Sequence, residues 1–265
     1  MLSIIGVGLD PEDLSLRALR VIGASDVVYL EKYTSIIMNE HKIEEIINKK
    51  VSAVYREDLE DVNEPRIIRE AQKMSVVLLV VGTPLFATTH TELLIRCKEL
   101  GVPTEVLHNA SIQNVMGCCG FSSYRFGETV SVPFFTETWR PCDFFLHIVR
   151  NFTNNLHTLC LLDIKINEPT LETLMGKEDK RYTRFMRINE ALEQIEEAAK
   201  NHKIEMFDGV EIIAVERFGQ KDERFSYGTF KELKNKTYGD PLHSIIIPSL
   251  KNSRMERENI ERFFR

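Results

Sequence analysis

The sequence predicts a two-lobed α/β protein, and three observations carry that prediction. Short apolar runs alternate with helical patterns through the first hundred residues, as in a parallel sheet with helices packed on it. The 265 residues, 43% hydrophobic and 28% charged, suffice for one large domain or two small ones. After residue 108 the character changes to NASIQNVMGCCGFSSYRFG, rich in small residues, with no internal repeat or low-complexity tract. This places a boundary near residues 100–110, giving an N-terminal α/β domain over 1–105 and a C-terminal α/β domain over 106–265.

Residues 2–5 (LSII) read as a strand that runs into Gly6-Val7-Gly8. Glu12 and Asp13 then open a helix whose apolar face is Leu14, Leu16, Leu19 and Val21–Ile22. A strand at 26–30, a helix at 41–48 and a strand at 51–54 come next, and Glu64–Pro65 opens another helix. The run 75–81 is a buried strand ending at Gly82, and a helix over 89–100 is closed by Gly101 before a further strand. Further on, a helix follows Pro141, and LHTLCLLDIK (156–165) reads as one apolar strand ending in Asp163. Residues 185–200 form an acidic amphipathic helix with Leu192, Ile195 and Ala199 on one stripe. Strands at 210–217 and 243–247 precede a charged C-terminal helix, MERENIERFF.

A net charge of −6 argues against a phosphate-backbone binder, so no nucleic-acid partner is expected. No apolar run reaches membrane-spanning length, and MLSIIGVGLDPEDL lacks a charged region ahead of its apolar residues. A soluble cytoplasmic protein without a membrane partner is therefore expected. The five cysteines lack C-x-x-C spacing and read as reduced, packed thiols, with no metal site.

Four motifs stand at loop ends. IIGVGLDPEDL copies the outline of a dinucleotide fingerprint, with Glu31 ending the next strand, but Pro11 replaces the third glycine. Glu12 and Asp13 sit where a pyrophosphate needs bare N–H groups, and carboxylates there cap the helix and repel phosphate. Gly6 and Gly8 would still let a ligand's flat face approach the backbone. GTPLFATTH lies at the carboxyl end of a strand, where α/β sheets hold ligands; it reads equally as a turn whose Thr88–Thr89 cap the next helix. Asn109 can cap a helix whose start Ala110 and Ser111 keep narrow. In DPLHSIIIP, His243 reads as a hydrogen-bonded structural histidine before a buried strand. No Ser–His–Asp order, H-E-x-x-H or phosphate loop occurs.

Taken in order, GVGL, YLEKYTS, VVGTPLFATTH, HNASIQNVMGCCG, YRFGETVS, TWRP, HTLCLLDIK and GDPLHSIII closely resemble the diphthine synthase family, over nearly the whole chain. That family belongs to the tetrapyrrole methylase-like, class III methyltransferases. The resemblance implies two α/β domains with the cofactor cleft between them, and a homodimer. It implies S-adenosylmethionine as cofactor, leaving S-adenosylhomocysteine. The implied protein substrate is translation elongation factor 2, whose modified histidine is methylated to diphthine methyl ester in diphthamide biosynthesis. The family's cofactor contacts carry over to Leu9, Thr83, Phe86, Ser111, Ile112, Leu162, Phe218 and His243. Where the family usually reads G-D-P-F-G-A-T-T-H, this chain has Thr83 for the acid and Phe86 for a glycine. Without the acid, a charge-assisted hydrogen bond worth about 1.5–3 kcal/mol is forgone.

The resemblance supplies no catalytic residue. His243 and Asp163 are the candidates for a general base, and Arg125 and Arg140 for contacts to the acidic part of the substrate, each with a structural reading beside it. Two other functions stand beside the main one: a related methyltransferase of another substrate, and a non-catalytic binding protein with a weakened cofactor site.

Overall fold

The computed structural model describes residues 1–37, 40–60, 65–177, 179–207 and 209–264. The chain divides into two units, Met1–Gln113 with Lys165–Thr183 and Asn114–Ile164 with Arg184–Arg265. Unlike a single cut at 105/106, this division returns the chain to the first unit for the 165–183 segment.

In the first unit the chain runs β1 (Leu2–Gly8), α1 (Leu16–Ala24), β2 (Val27–Glu31), α2 (His41–Ile47) and β3 (Ser52–Val54). It continues through α3 (Arg56–Leu59), α4 (Arg66–Ala71), β4 (Val76–Val81), α5 (Thr91–Glu99) and β5 (Thr104–Leu107). The sheet order is β3-β2-β4-β1-β5, every pair parallel. The apolar strands explain why. On β4, Val76, Leu78 and Val80 join Leu2 and Ile4 in one apolar cluster, while Val77 and Leu79 join Ile5 and Val7 in another. Successive side chains point to opposite faces, so both faces are buried and the strand ends are left for polar work.

The first helix begins later than its sequence suggests. Pro11–Asp13 close a separate 3-10 turn with a capping box on Asp10, and α1 starts after Ser15, whose Oγ accepts the Ala18 N–H at 3.1 Å. The shift leaves Leu16 74% exposed, while Leu14, Ala18 and Ile22 are buried. The helix expected at Glu64–Pro65 starts at Arg66 with Pro65 as N-cap; Glu64 lies outside the described residues.

The rest of the chain runs β6 (Val130–Val132), α6 (Phe144–Thr153), β7 (Thr158–Leu162), β8 (Ile164–Pro169), α7 (Leu171–Leu174) and β9 (Arg181–Phe185). After these come α8 (Ile188–His202), β10 (Glu211–Glu216), β11 (Arg224–Thr229), α9 (Phe230–Lys234), β12 (His243–Ile247) and α10 (Arg254–Phe264). Strands β8 and β9 pair only with each other. The second unit's sheet, β11-β10-β12-β7-β6, is antiparallel except for β6 on β7. Phe145 and Ile148 of α6 and Leu192 and Ile195 of α8 pack with Cys160, Ile212 and Ile245 of this sheet.

The run 156–165 is not one strand. Asp163 interrupts it: its N–H donates to the Val132 carbonyl, its carbonyl accepts the Met186 N–H, and its carboxylate accepts the Phe134 N–H at 3.1 Å. The residues before it stay in the five-stranded sheet, and those after it enter β8.

Candidate functional site

Strands β4, β1 and β5 are neighbours, so the loops leaving their carboxyl ends lie side by side. Glycine sets how closely they meet. Gly8 and Gly82, at φ 87° and 77°, exchange backbone hydrogen bonds of 3.2 and 2.8 Å. A Cβ on Gly6 would fall 2.5 Å from the Gly82 carbonyl oxygen and 3.0 Å from Asn109 Cβ. These glycines bring protein loops together, which replaces the expectation that they admit a ligand's flat face to the backbone.

Asn109 is the stitch between the loops, not the helix cap the sequence suggests. Its Nδ2 donates to the carbonyls of Gly6 and Asp13, both at 3.0 Å, and its Oδ1 accepts the Ala110 N–H at 2.8 Å. The next element is a 3-10 turn, Ile112–Gly117, and Ser111 just before it accepts the Gln113 N–H on Oγ at 3.3 Å. After β1, Asp13 Oδ2 accepts the N–H groups of Leu9 at 2.9 Å and Asp10 at 3.0 Å. A carboxylate thus takes the donors a pyrophosphate would need, and the dinucleotide outline is excluded. Asp13 caps as its place in the sequence suggests, though on a 3-10 turn with the D-P-x-D spacing of a capping box, whereas the loop-joining role of Asn109 had no local signal.

The 82–90 loop is held from within. Thr83 Oγ1 stands 3.2 Å from His108 Nδ1 and accepts the Asn109 N–H at 3.4 Å, tying it to the loop after β5. The Phe86 N–H donates to the Thr83 carbonyl at 3.4 Å, closing a turn. Thr88 and Thr89 do not cap α5, whose N-cap is His90. Their hydroxyls donate instead to the Pro84 carbonyl and to Glu60 Oε1, each at 2.8 Å. Leu9, Thr83, Phe86 and Ile112 are half-buried and Ser111 is buried. The first unit therefore brings five of the eight expected positions to one end of one sheet.

The other three stand at one end of the second unit's sheet. His243 opens β12 opposite Glu216, the last residue of β10; the β12–β7 register sets Ser244 against Leu161, so Leu162 lies at the same end. Phe218 follows Arg217, whose φ is 53°, and packs edge-on to Phe225 at 6.2 Å. His243 is buried, and neither ring nitrogen has a partner in good hydrogen-bond geometry, contrary to the structural reading of its motif. Burial holds its pKa below the usual imidazole range, against the opposing pull of Glu216 and the backbone of Asp240 and Gly239. Glu216 itself accepts the Gly239 N–H at 2.6 Å.

The two candidate arginines are engaged elsewhere. Arg125 donates to Glu256, Ser249 Oγ and the carbonyls of Asn155 and Lys251, and Arg140 pairs with Glu197 while lying 5.1 Å over the Phe135 ring. Arg125 is thus held by four partners within its own unit, whereas the Arg140 pair is half-exposed. Among the described residues no group of side chains could hold a metal, no helix is long and apolar enough to cross a membrane, and all five cysteines are free.

Residues 1–234 match the family model for tetrapyrrole (corrin/porphyrin) methylases. The diphthine methyl ester synthase of Mus musculus is 39% identical, the alignment covering 99% of this chain and 96% of that protein. That of Dictyostelium discoideum is 41% identical, with coverage of 93% and 92%. Among solved structures, a protein assigned as a diphthine synthase from Entamoeba histolytica superposes with a TM-score of 0.87 at 36% identity, covering 100% of this chain and 98% of the other. A second diphthine synthase crystal structure gives 0.83 at 30% identity, with coverage of 99% and 95%.

Proposed function

We infer the activity from the premise that the chain belongs to the tetrapyrrole methylase family, among its diphthine methyl ester synthases. It is a methyltransferase of diphthamide biosynthesis, using S-adenosylmethionine to methylate the modified histidine of elongation factor 2 to diphthine methyl ester. We place it in the cytoplasm as a homodimer. The observation that carries this reading is the near-full-length match to those enzymes, in a chain whose β1, β4 and β5 loops converge.

One structural observation tests whether the residues fit the cofactor. His243 is a buried imidazole with both ring nitrogens unpartnered, which a bound polar ligand can satisfy. They fit. By the family resemblance, the residues that would hold it are Leu9, Thr83, Phe86, Ser111, Ile112, Leu162, Phe218 and His243. When bound, S-adenosylmethionine supplies an electrophilic methyl group on a sulfonium with a neutral leaving group.

The chain's own task is to present an unprotonated amine or a carboxylate in line with that methyl group and to hold it there. Apolar surroundings such as Leu9 and Phe86 lower an amine's pKa by desolvation and so favour its nucleophilic form. His243, a buried imidazole with unpartnered ring nitrogens, is the candidate to accept the proton an amine loses. Asp163 is less suited, because its carboxylate already accepts the Phe134 N–H.

Incubation with methyl-labelled S-adenosylmethionine and elongation factor 2 carrying the unmethylated precursor tests the reading. Label on the target histidine, with added mass matching the trimethylated methyl ester, is expected. No label on that histidine would overturn it.

A further inference from the structure

One carbonyl in the 82–90 loop is gripped twice. The Pro84 oxygen accepts the Thr88 hydroxyl at 2.8 Å and lies 3.0 Å from His90 Nδ1. A carbonyl can only accept, so Nδ1 carries the ring hydrogen and Nε2 is a bare acceptor. That Nε2 is buried without a partner, and the whole side chain is 1% exposed. Tyr33 meets the ring edge-on, 6.1 Å between centroids. Its hydroxyl lies 3.3 Å from Thr89 Oγ1, which donates to Glu60, and Arg56 stacks 5.0 Å over the Tyr33 ring.

The grip works against a strained backbone. Ala87, directly after Phe86, has φ 54°, the left-handed region that a side chain with a Cβ disfavours. Gly82, at the start of the loop, takes the same region freely. Thr83 is also tied to His108 and Asn109, so a loosened Pro84 would act on the segment from Pro84 to Ala87 and chiefly on Phe86. A histidine that merely filled space would have no need of one tautomer and would accept leucine in its place.

We propose that His90 is a positioning residue for the cofactor loop, its Nδ1–H and the Thr88 hydroxyl together fixing the Pro84 carbonyl and hence chiefly the direction of Phe86. This rests on the reading of Phe86 as a cofactor contact. His90 itself touches no ligand; it acts through the loop. Asparagine places an amide N–H where Nδ1 stands, whereas leucine places none.

Two readouts test it. The first needs no ligand: nitrogen NMR of protein labelled at histidine, with the His90 signals assigned by their loss in His90→Asn. The Nδ1–H tautomer is expected; the Nε2–H tautomer would overturn the proposal. The second is calorimetry with S-adenosylhomocysteine together with methyl-transfer kinetics. His90→Leu should weaken binding about tenfold and raise KM for S-adenosylmethionine with kcat changed less than about threefold, while His90→Asn binds within about threefold of wild type. Thr88→Val, which leaves the buried ring in place, should weaken binding about threefold and serves where His90→Leu does not fold. Equal binding by wild type, His90→Leu and Thr88→Val would overturn the proposal, as would His90→Asn failing as badly as His90→Leu. A wild-type protein that binds no S-adenosylhomocysteine overturns the cofactor reading; wild-type binding with the wrong tautomer overturns the role of His90 alone.

Discussion

His157 and His243 lie in the same unit, both buried, and burial holds both pKa values below the usual range. Their surroundings differ completely. His157 Nε2 stands 2.9 Å from Glu256 Oε1, its Nδ1 accepts the Ser249 N–H at 3.0 Å, and its ring stacks on Phe121 at 4.4 Å. Glu256 also accepts the N–H groups of Ser122 at 3.1 Å and Ser253 at 2.7 Å and pairs with Arg125, so α10 is pinned to the unit's interior. His243 has a tilted Tyr238 ring 6.0 Å away and no hydrogen-bond partner. A buried polar group with every site satisfied stabilises a fold; one left unsatisfied carries a penalty that a bound polar group, ligand or water, removes. The comparison sets an anchor beside the proposed binding position.

The largest effect should come from breaking the anchor. Glu256→Ala removes the carboxylate partner of half-buried Arg125 and of buried His157 and should destabilise the protein by about 3 kcal/mol, read from denaturant unfolding. The same carboxylate sets an acid limb. Burial alone would raise its pKa, but the N–H groups of Ser253 and Ser122 and the His157 ring outweigh it and bring it to about 2, against an ordinary 4.5. A depressed carboxylate stabilises above its ordinary pKa and loses that contribution as pH falls through the folded value. Unfolding at a series of pH values should therefore show about 3 kcal/mol lost between pH 4.5 and 2, and Glu256→Gln should remove that slope. The lowered pKa of His157 has the same sign, since the unfolded ring takes up a proton first as pH drops below 6.5.

At the ligand end the effects move to binding. Thr83→Asp keeps an acceptor for the Asn109 N–H and restores the acid usual in the family. Affinity for S-adenosylhomocysteine by calorimetry should rise about tenfold, with stability within about 0.5 kcal/mol of wild type. Smallest of all, Arg140→Ala removes only a half-exposed pair with Glu197. It should lower stability by less than about 1 kcal/mol and leave KM for the protein substrate unchanged; a raised KM would return Arg140 to substrate binding.

The first unit's parallel sheet was legible because Val76–Val81 and Leu2–Ile5 are apolar at nearly every position, as strands buried on both faces must be. Other elements were hidden for physical reasons. Strand β11, RFSYGT, buries Ser226 and Gly228 while its alternating Phe225 and Tyr227 lie on the less buried face, and β8 and β9 form a polar two-stranded sheet outside both main sheets. Asp163 gave no sign that the chain leaves its sheet there, because its effect depends on Val132, Phe134 and Met186, distant in sequence. Leu16 was misplaced because two capping sequences, at Asp10 and Ser15, compete within six residues and the second starts the helix. The site positions came from resemblance alone. Whether a histidine such as His243 is partnered depends on what the fold brings near it, which no local pattern records.

The most direct measurement is a paired one: thermal melting and S-adenosylhomocysteine calorimetry on His243→Leu and His157→Leu beside the wild type. His243→Leu should bind about tenfold more weakly while melting within a few degrees of wild type, and His157→Leu should melt about 8 °C or more lower. His243→Leu binding as tightly as wild type, or melting as low as His157→Leu, would contradict the assignment of His243 to the ligand.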